Sequence, residues 1–451
     1  MKLLNRNFSK SFSLSGLATA LVAAGLLATT GSAFAAESLG GNKLTPMGAE
    51  RAGSADGKIP AWDGGLKSAP GGWKEGYGNP FANEKPLFVI TAQNYKQYEK
   101  NMAPGQIEML KKYPDTFKIP VYKSHRTANY PQSVYDLVKQ NAKTAKLVDG
   151  GNGVENFTEV TPFPLPKTGV ELVWNHSTRY RGKSAEREVS LVTPQAGGNY
   201  TAVTLSEEFM FIGDPAENSL FYFLQSVTAP ARLSGTVLLV QETMNQVKEP
   251  RRAWIYNAGQ RRVRRAPQVA YDGPGTAADG QRTSDGLDVF NGSPDRYEWK
   301  LVGKKEMYIP YNSFKLLNTN LSVDDIVQAG HMNPEHTRYE LHRVWQVEGT
   351  LKDGQRHIYA KRVMYFDEDT YQIAHVDHYD GRNNLWRVAE GHAVQFHDVK
   401  VPWYAAETVY DLVNGRYLVS GLINDTRGYN WDYKAKRSNF TPAALSRAGG
   451  R

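Results

Sequence analysis

Residues 339–396 read YELHRVWQVEGTLKDGQRHIYAKRVMYFDEDTYQIAHVDHYDGRNNLWRVAEGHAVQF. Three turn signals divide this stretch into four runs. YELHRVWQVEGTL (339–351) is closed by Lys352-Asp353-Gly354, RHIYAKRVMYF (356–366) by DEDT, YQIAHVDHY (371–379) by DGRNN, and LWRVAEGHAVQF (385–396) follows. Valine, isoleucine and aromatic residues recur at a period of two, and turns this short join neighbours antiparallel. The stretch predicts a meander of strands of roughly ten residues each. Farther on, TVYDLV (408–413), Asn414-Gly415 and RYLVSGL (416–422) predict a hairpin with a two-residue type I′ turn.

Upstream, VELVWNHSTRYRG (170–182), AEREVSLVTP (185–194), NYTAVTLSEEFMFIG (199–213), SLFYFLQSVT (219–228) and LSGTVLLVQETM (233–244) supply five more predicted strands. A sheet this long must curl, close or be covered, because bare edges pair with other chains. The fold class is mainly β (α+β): a large curved antiparallel sheet or incomplete β-barrel with a few flanking or lid helices. Helices are predicted in TAQNYKQYEKNM (91–102), capped by Thr91, and in APGQIEMLKKYP, running from Pro104 until Pro114 stops it. Another is predicted in YPQSVYDLVKQNAKTAKL, starting near Pro131 with Val134, Leu137 and Val138 on one face. Residues 36–86 are rich in glycine, proline, asparagine and lysine. Trp62, Trp73 and Tyr77 mark them as an irregular strap packed onto a body. The link TPFPLP (161–166) divides the strap and its short helices, 36–165, from the sheet, 166–451, with 36–451 expected to act as one structural unit.

The N-terminus carries Lys2, Arg6 and Lys10, then the apolar stretch LSGLATALVAAGLLATTG, then an A-x-A site at Ala33 and Ala35. This is the layout of a secretory signal peptide, residues 1–35, cleaved after Ala35. No later run has the length of a membrane span. There are no cysteines, which excludes disulfides, thiolate metal sites, a thiol nucleophile and a lipoprotein-type anchor. The expected home is the periplasm. Three of the basic residues lie in the leader, which has no acidic ones, so the formal charge falls from +8 to +5 on processing. So mild an excess, in that compartment, excludes nucleic acid as a partner.

Motifs for chemistry are sparse. Gly182-Lys183-Ser184 ends like a phosphate-binding loop, but position 177, where the motif needs glycine, is serine. His375 and His378, beside Asp377 and Asp380, come closest to a metal pair, yet on a strand they face opposite sides. His331, His336 and His342 lack metal-binding spacing. No catalytic residue, metal or cofactor is expected, and the chain does not read as an enzyme.

PRRAWIYNAGQRRVRRAP (250–267) holds six arginines in eighteen positions. Residues 252–256 and 261–265 alternate as a hairpin around NAGQ, with Tyr256 opposite Arg261 and Trp254 opposite Val263. Arg252, Trp254, Tyr256, Arg261, Val263 and Arg265 then share one face, and Ala253, Ile255, Arg262 and Arg264 the other. Internal ion pairing is the expected role of Arg252, Arg261, Arg262, Arg264 and Arg265. The alternative is a rim of donors for an anionic head group or an acidic partner patch.

EPRRAWIYNAGQRRVRRAPQVAYDGPG (249–275), DVFNGSPDRYEWKLVGKKEMYIPYN (288–312) and GHMNPEHTRYELHRVWQVEGTLKDGQRHIYAKRVMYFDEDT (330–370) closely resemble the DUF1329 family of exported proteobacterial proteins. The resemblance covers nearly the whole mature chain. It implies a fold like that of the carriers that sort lipoproteins across the periplasm, LolA and LolB: a curved sheet with a helical lid over an apolar cavity. It also implies association with exporters of the resistance-nodulation-division superfamily and with an outer-membrane partner. No catalytic residues come with the family. A carrier function on such a sheet would shield an acyl chain or sterol from water at roughly 25 cal/mol per Å². Candidate lining residues are Phe209, Phe211, Phe221, Phe223, Val237, Leu239, Trp254, Tyr256 and Trp345, for all of which core packing is the competing role. The expected function is a soluble periplasmic carrier of a hydrophobic, lipid-like ligand. The alternatives are an adaptor that joins an exporter to its outer-membrane partner, and a hydrolase of lipid or polysaccharide.

Overall fold

The computed structural model describes residues 38–449 apart from 70, 72 and 74–76, so the signal peptide expected over 1–35 lies outside the described residues. The first strands are β1 (Phe88–Ile90), β2 (Ile119–Tyr122), β3 (Lys146–Val148), β4 (Gly153–Glu155), β5 (Ser184–Val192), β6 (Val203–Asp214), β7 (Ser219–Ala229), β8 (Val237–Thr243) and β9 (Arg252–Asn257). They are followed by β10 (Arg262–Arg265), β11 (Tyr297–Pro310), β12 (Tyr339–Leu351), β13 (Lys361–Asp367), β14 (Ile373–Tyr379), β15 (Leu385–Phe396), β16 (Val401–Asp411), β17 (Tyr417–Leu422) and β18 (Gly428–Asn430). The helices are α1 (Pro104–Lys112), α2 (Gln132–Thr144), α3 (Gly169–Thr178), α4 (Val323–Ile326) and α5 (Pro442–Gly449).

Two antiparallel meanders, β11 to β17 and β5 to β10, join through β17 and β5 into one large sheet. Short β2 adds in parallel to the start of β12, with β1 outside it, and β18 pairs β5. The sheet is mixed and does not close into a barrel: among the described residues β10 and β11 end its two sides. β10 is short and reads RVRR, a charged edge that resists pairing with another chain.

Both faces of the sheet are covered. α3 and the long connection from β10 to β11 lie on one side, here called the inner face. It carries Glu207, Phe209, Phe221, Phe223, Leu238, Val240, Val347, Met364 and Ser420 by strand parity. α1 lies on the other face, where Gly105 meets Asp377 and Val388. Farther along that outer face, α5 and Phe440 cover Tyr222, Leu224, Leu239 and Tyr256. Strands β16 and β17 are buried at every position as a result.

The structure corrects several local expectations. VELVWNHSTRYRG is not a strand but mostly α3. Thr168 and Glu171 form a reciprocal capping box at its start, and residues Leu172–Thr178 are all buried. A helix buried all round shows no 3.6-residue apolar stripe, so its β-branched and aromatic residues read as a strand. TAQNYKQYEKNM forms two 3-10 turns, Tyr95–Gln97 and Glu99–Asn101, because the Asn94 side chain accepts from Thr91 N–H at 2.8 Å and donates to Val89 O at 2.9 Å. At Asn414-Gly415 the turn is wider than two residues. Asp411 Oδ1 accepts from the N–H groups of Val413 and Asn414, and Gly415, not Asn414, takes a left-handed φ of 72°.

Gly105 sits where α1 touches the sheet and donates its N–H to Asp377 Oδ1 at 3.0 Å. A Cβ there would stand 2.2 Å from that oxygen and 2.7 Å from Val388 Cγ2. Gly105→Ala is therefore expected to lift the helix and destabilise the protein by about 1–3 kcal/mol, read as a lower urea midpoint. An unchanged midpoint would show that α1 does not press on the sheet as described.

Candidate functional site

The connection between β10 and β11, residues 266–296, contains only one 3-10 turn, Ser284–Gly286, yet it lies across the inner face as a roof. Side chains from distant strands hold it. Asp285 accepts from Arg362 at 2.6 Å and from His357 at 3.1 Å, and its neighbour Thr283 donates to it at 2.6 Å. Burial alone would raise the Asp285 carboxyl, but Arg362 and His357 outweigh it and hold it far below the usual carboxylate range. Asp288 takes two guanidiniums from the exit of α3, Arg179 and, at 2.8 Å, Arg181, and is likewise held low against its burial. His176 Nε2 lies 2.9 Å from the Asp288 carbonyl. Burial first, and then Arg179, push its pKa down to about 3, so the imidazole is neutral and donates there. Arg387 donates to the carbonyls of Gly280 and Gln281 at 3.0 and 3.1 Å, and Glu407 accepts from Val289 N–H at 2.8 Å.

Between this roof and strands β7 and β8 lies a small cavity of about 40 Å³. Phe221, Phe223, Leu238, Val240, Val269 and Leu287 give it apolar walls. Its polar end holds Arg251, Glu242, Gln225, Asn291 and Arg282. The space suits a few waters and is far below the roughly 300 Å³ at which ligand pockets begin.

The two cavity arginines are partnered very differently. Arg251 Nε lies 2.8 Å from Glu242 Oε2, and Nη2 donates to the Asn291 carbonyl at 2.6 Å. Arg282 is 7% exposed. Its guanidinium makes a single hydrogen bond among the described residues, Nη1 to Ser420 Oγ at 3.3 Å, and its Nε is buried without a partner. Burial lowers its pKa, against the more distant pull of Glu407 and Glu207. Glu207 is itself committed, to Arg187 at 2.6 Å and to Gln225 at 2.7 Å.

The nine predicted lining residues do not converge. Phe221 and Phe223 line the cavity. Phe209 and Phe211 stack on each other at 5.7 Å on the same face, but guanidiniums of Arg187 and Arg181 and the ring of Trp403 cover them. Val237, Leu239, Trp254 and Tyr256 lie on the outer face, packed with Phe440. Trp345 sits on β12, under Lys304 at 4.5 Å and remote from the cavity. The sequence reading missed Arg251, Glu242, Arg282 and Asn291. Glu242 could have been found, because it follows Leu238 and Val240 at a period of two. Arg282 lies in an aperiodic loop and gives no such signal.

The arginine hairpin forms, but two residues out of the predicted register: Val263 pairs Tyr256 and Arg265 pairs Trp254. Arg261 drops into the turn with φ 49° and leaves the strand face. Arg265 lies over an aromatic ring, 5.3 Å from Trp254. Internal pairing holds only for Arg251 with Glu242 and, at 3.6 Å, Arg252 with Glu249. Arg261, Arg262, Arg264 and Arg265 are exposed and have no ion pair among the described residues, contrary to the expectation of pairing.

Fold and site together define an open-sheet β protein with a bolted roof over a cavity that is apolar on its walls and cationic at one end. The chain belongs to the DUF1329 family, described as a protein of unknown function, whose sequence model matches residues 89–446. Uncharacterized protein PA3922 of Pseudomonas aeruginosa is 58% identical over 443 residues, covering 96% of this chain and 97% of that protein. Two solved structures are similar at lower identity. A DUF1329 family protein from Desulfovibrio piger has a TM-score of 0.42 and 16% identity, over 61% of this chain and 97% of its own. A Vibrio parahaemolyticus domain, provisionally described as an outer membrane lipoprotein-sorting protein, has a TM-score of 0.44 and 14% identity, over 62% of this chain and 98% of its own.

The contrast between the two arginines is measurable. Arg251→Met leaves Glu242 buried and uncompensated, and is expected to cost about 3–5 kcal/mol. Arg282→Met removes a guanidinium that has no direct acid and is expected to leave the unfolding midpoint unchanged or raise it. Equal losses in the two variants would place Arg282 among the structural pairs.

Proposed function

We propose that this protein is a soluble carrier in the periplasm that binds a hydrophobic ligand with an acidic head group under the roof. The observation that carries this is Arg282. A guanidinium without a direct acid, at the end of an apolar cavity, is costly to stability and fits an anionic group of a ligand. The acyl portion would lie along Phe221, Phe223, Leu238 and Val240. At about 40 Å³ the cavity must widen to admit it. The roof is tied along its length, at Val269 by Arg251, at Asp272 by Ile358 N–H, and at Gly280, Gln281, Asp285 and Asp288. Export rests on the leader read over residues 1–35. No helix among the described residues is long and apolar enough to cross a membrane. An exporter of the resistance-nodulation-division type and an outer-membrane protein are the proposed partners.

The test is native mass spectrometry of the mature protein with analysis of co-purified lipid, followed by titration with a fluorescent fatty acid. One lipid per chain is expected. Arg282→Met is expected to weaken fatty-acid binding about tenfold or more, since a charged hydrogen bond contributes roughly 1.5–3 kcal/mol. An empty wild-type protein that takes up no fatty acid would sink the carrier reading.

A second reading, an adaptor between exporter and outer-membrane partner, is favoured by the unpaired arginines of the β9–β10 hairpin. They suit an acidic partner patch. Arg261→Glu with Arg264→Glu is expected to abolish co-purification of those partners at unchanged lipid content. Undiminished co-purification would remove the hairpin from the interface.

A further inference from the structure

We propose that His342, Asp367 and Asp369 form a binding site for one divalent first-row transition cation, such as Zn²⁺, on the outer face of the sheet. His342 comes from β12, Asp367 ends β13, and Asp369 lies in the turn to β14. The hairpins bring together one ligand atom from each, all within 4.8 Å of one another. All three residues are buried, at 2%, 2% and 4% exposure.

The groups around the trio are arranged as metal ligands need. His342 Nε2 lies 3.0 Å from Glu340 Oε2. Glu340 also accepts from Arg338 Nε at 2.6 Å and from His125 N–H at 2.8 Å. With the imidazole proton on Nε2, shared with Glu340, Nδ1 is the free lone pair. This is the carboxylate–histidine relay that orients a metal-binding imidazole. Asp369 accepts from Arg126 Nε and Nη2 at 2.8 and 2.7 Å, and a carboxylate with about four lone-pair sites can still ligate.

Asp369 is paired with Arg126, and Glu340 with Arg338, which also pairs Glu84. Asp367 is the group left over: Oδ2 accepts from Thr370 Oγ1 at 2.6 Å, and Oδ1 is buried with no partner. A second, independent vacancy in bonding lies beside it. Gln372 is 1% exposed and both its Oε1 and its Nε2 lack partners. With Thr370 and Tyr311 it lines a cavity of about 10 Å³, room for one water, and the Tyr311 ring lies 3.9 Å from that of His342. Leaving buried polar groups unpaired is destabilising. A cation held by Asp367 Oδ1, Asp369 and His342, with the Gln372 oxygen or a water completing its shell, gives Asp367 Oδ1 the partner that it lacks. One imidazole with carboxylate and amide oxygens, in a chain without thiols, suits Zn²⁺, Mn²⁺ or Fe²⁺.

The test uses the mature protein stripped with chelator, then titrated with ZnCl₂ by calorimetry, with metal retained after dialysis counted by mass spectrometry. One Zn²⁺ per chain and a zinc-dependent rise in Tm are expected. Asp367→Asn and His342→Gln are expected to weaken binding by more than tenfold, and Glu340→Gln by about ten- to a hundredfold. Asp367→Asn serves as the folding control. It replaces a carboxylate without a basic partner by a neutral isostere that keeps an oxygen for Thr370, so its Tm in chelator should match or exceed that of wild type while the zinc-dependent rise disappears. Wild-type protein that retains less than one zinc, or an Asp367→Asn protein that binds zinc as wild type does, overturns the site. The lipid measurements above do not bear on this outcome.

Discussion

Two buried carboxylates, Asp285 and Asp288, hold the roof on the inner face, and much of the molecule is arranged to compensate them. Turns and one isolated bridge, Pro274 with Thr283, make up the roof's own backbone bonding, and side chains fasten it to the sheet. Asp285 reaches strand β13 through Arg362, and Asp288 reaches the end of α3 through Arg179 and Arg181. Burying such charges is expensive, and losing one partner leaves the other stranded at a cost of about 3–5 kcal/mol. The arginines explain why α3 stops where it does. Beyond Thr178 the chain turns so that residues 179 and 181 both aim at one carboxylate. Without these contacts the apolar inner face of β6 to β8 would be open to water, an exposed patch of the kind that drives association.

The same contacts explain what the sequence could and could not disclose. The meander from 339 to 396 was legible because turn residues recur between strand-length runs, and that information is local. The roof was not, because its partners are far apart along the chain: Asp285 with Arg362, Asp288 with Arg181, Arg282 with Ser420. No spacing rule joins residues that meet only after the sheet has formed. α3 failed for a related reason. Its residues bury on all sides, so neither a helical stripe nor a polar face marked it, and tertiary burial overrode β propensity.

Face assignment failed in a more instructive way. VLLVQ in β8 is apolar on both faces, since Leu238 and Val240 look to the cavity while Val237 and Leu239 meet the Phe440 cluster. A strand buried on both sides has no alternation to read. Trp254 and Tyr256 were grouped with the phenylalanines for the same reason, although the register puts them on the opposite side. Parity becomes informative only where a polar residue intrudes, as Glu242 does in β8 and Glu207 in β6. Those intrusions, more than the phenylalanines, mark the inner face as a site.

Polar side chains inside a sheet this well packed need a reason, because well-packed apolar residues of the same size are commonly neutral or better for stability. For Asp285, Asp288, Arg187 and Arg251 the reason is connection: each closes a pair that fastens one segment to another. Arg282 and Asp367 close nothing of the kind. One is a guanidinium without a direct acid on the inner face, and the other is a carboxylate oxygen without a donor on the outer face. They are opposite in sign but lie on opposite faces and several strands apart, at β17 and β13, so they cannot neutralise each other. For each the fold supplies burial and one hydroxyl, from Ser420 or Thr370, but no ion pair among the described residues. An anion for Arg282 and a cation for Asp367 are the complements proposed for them.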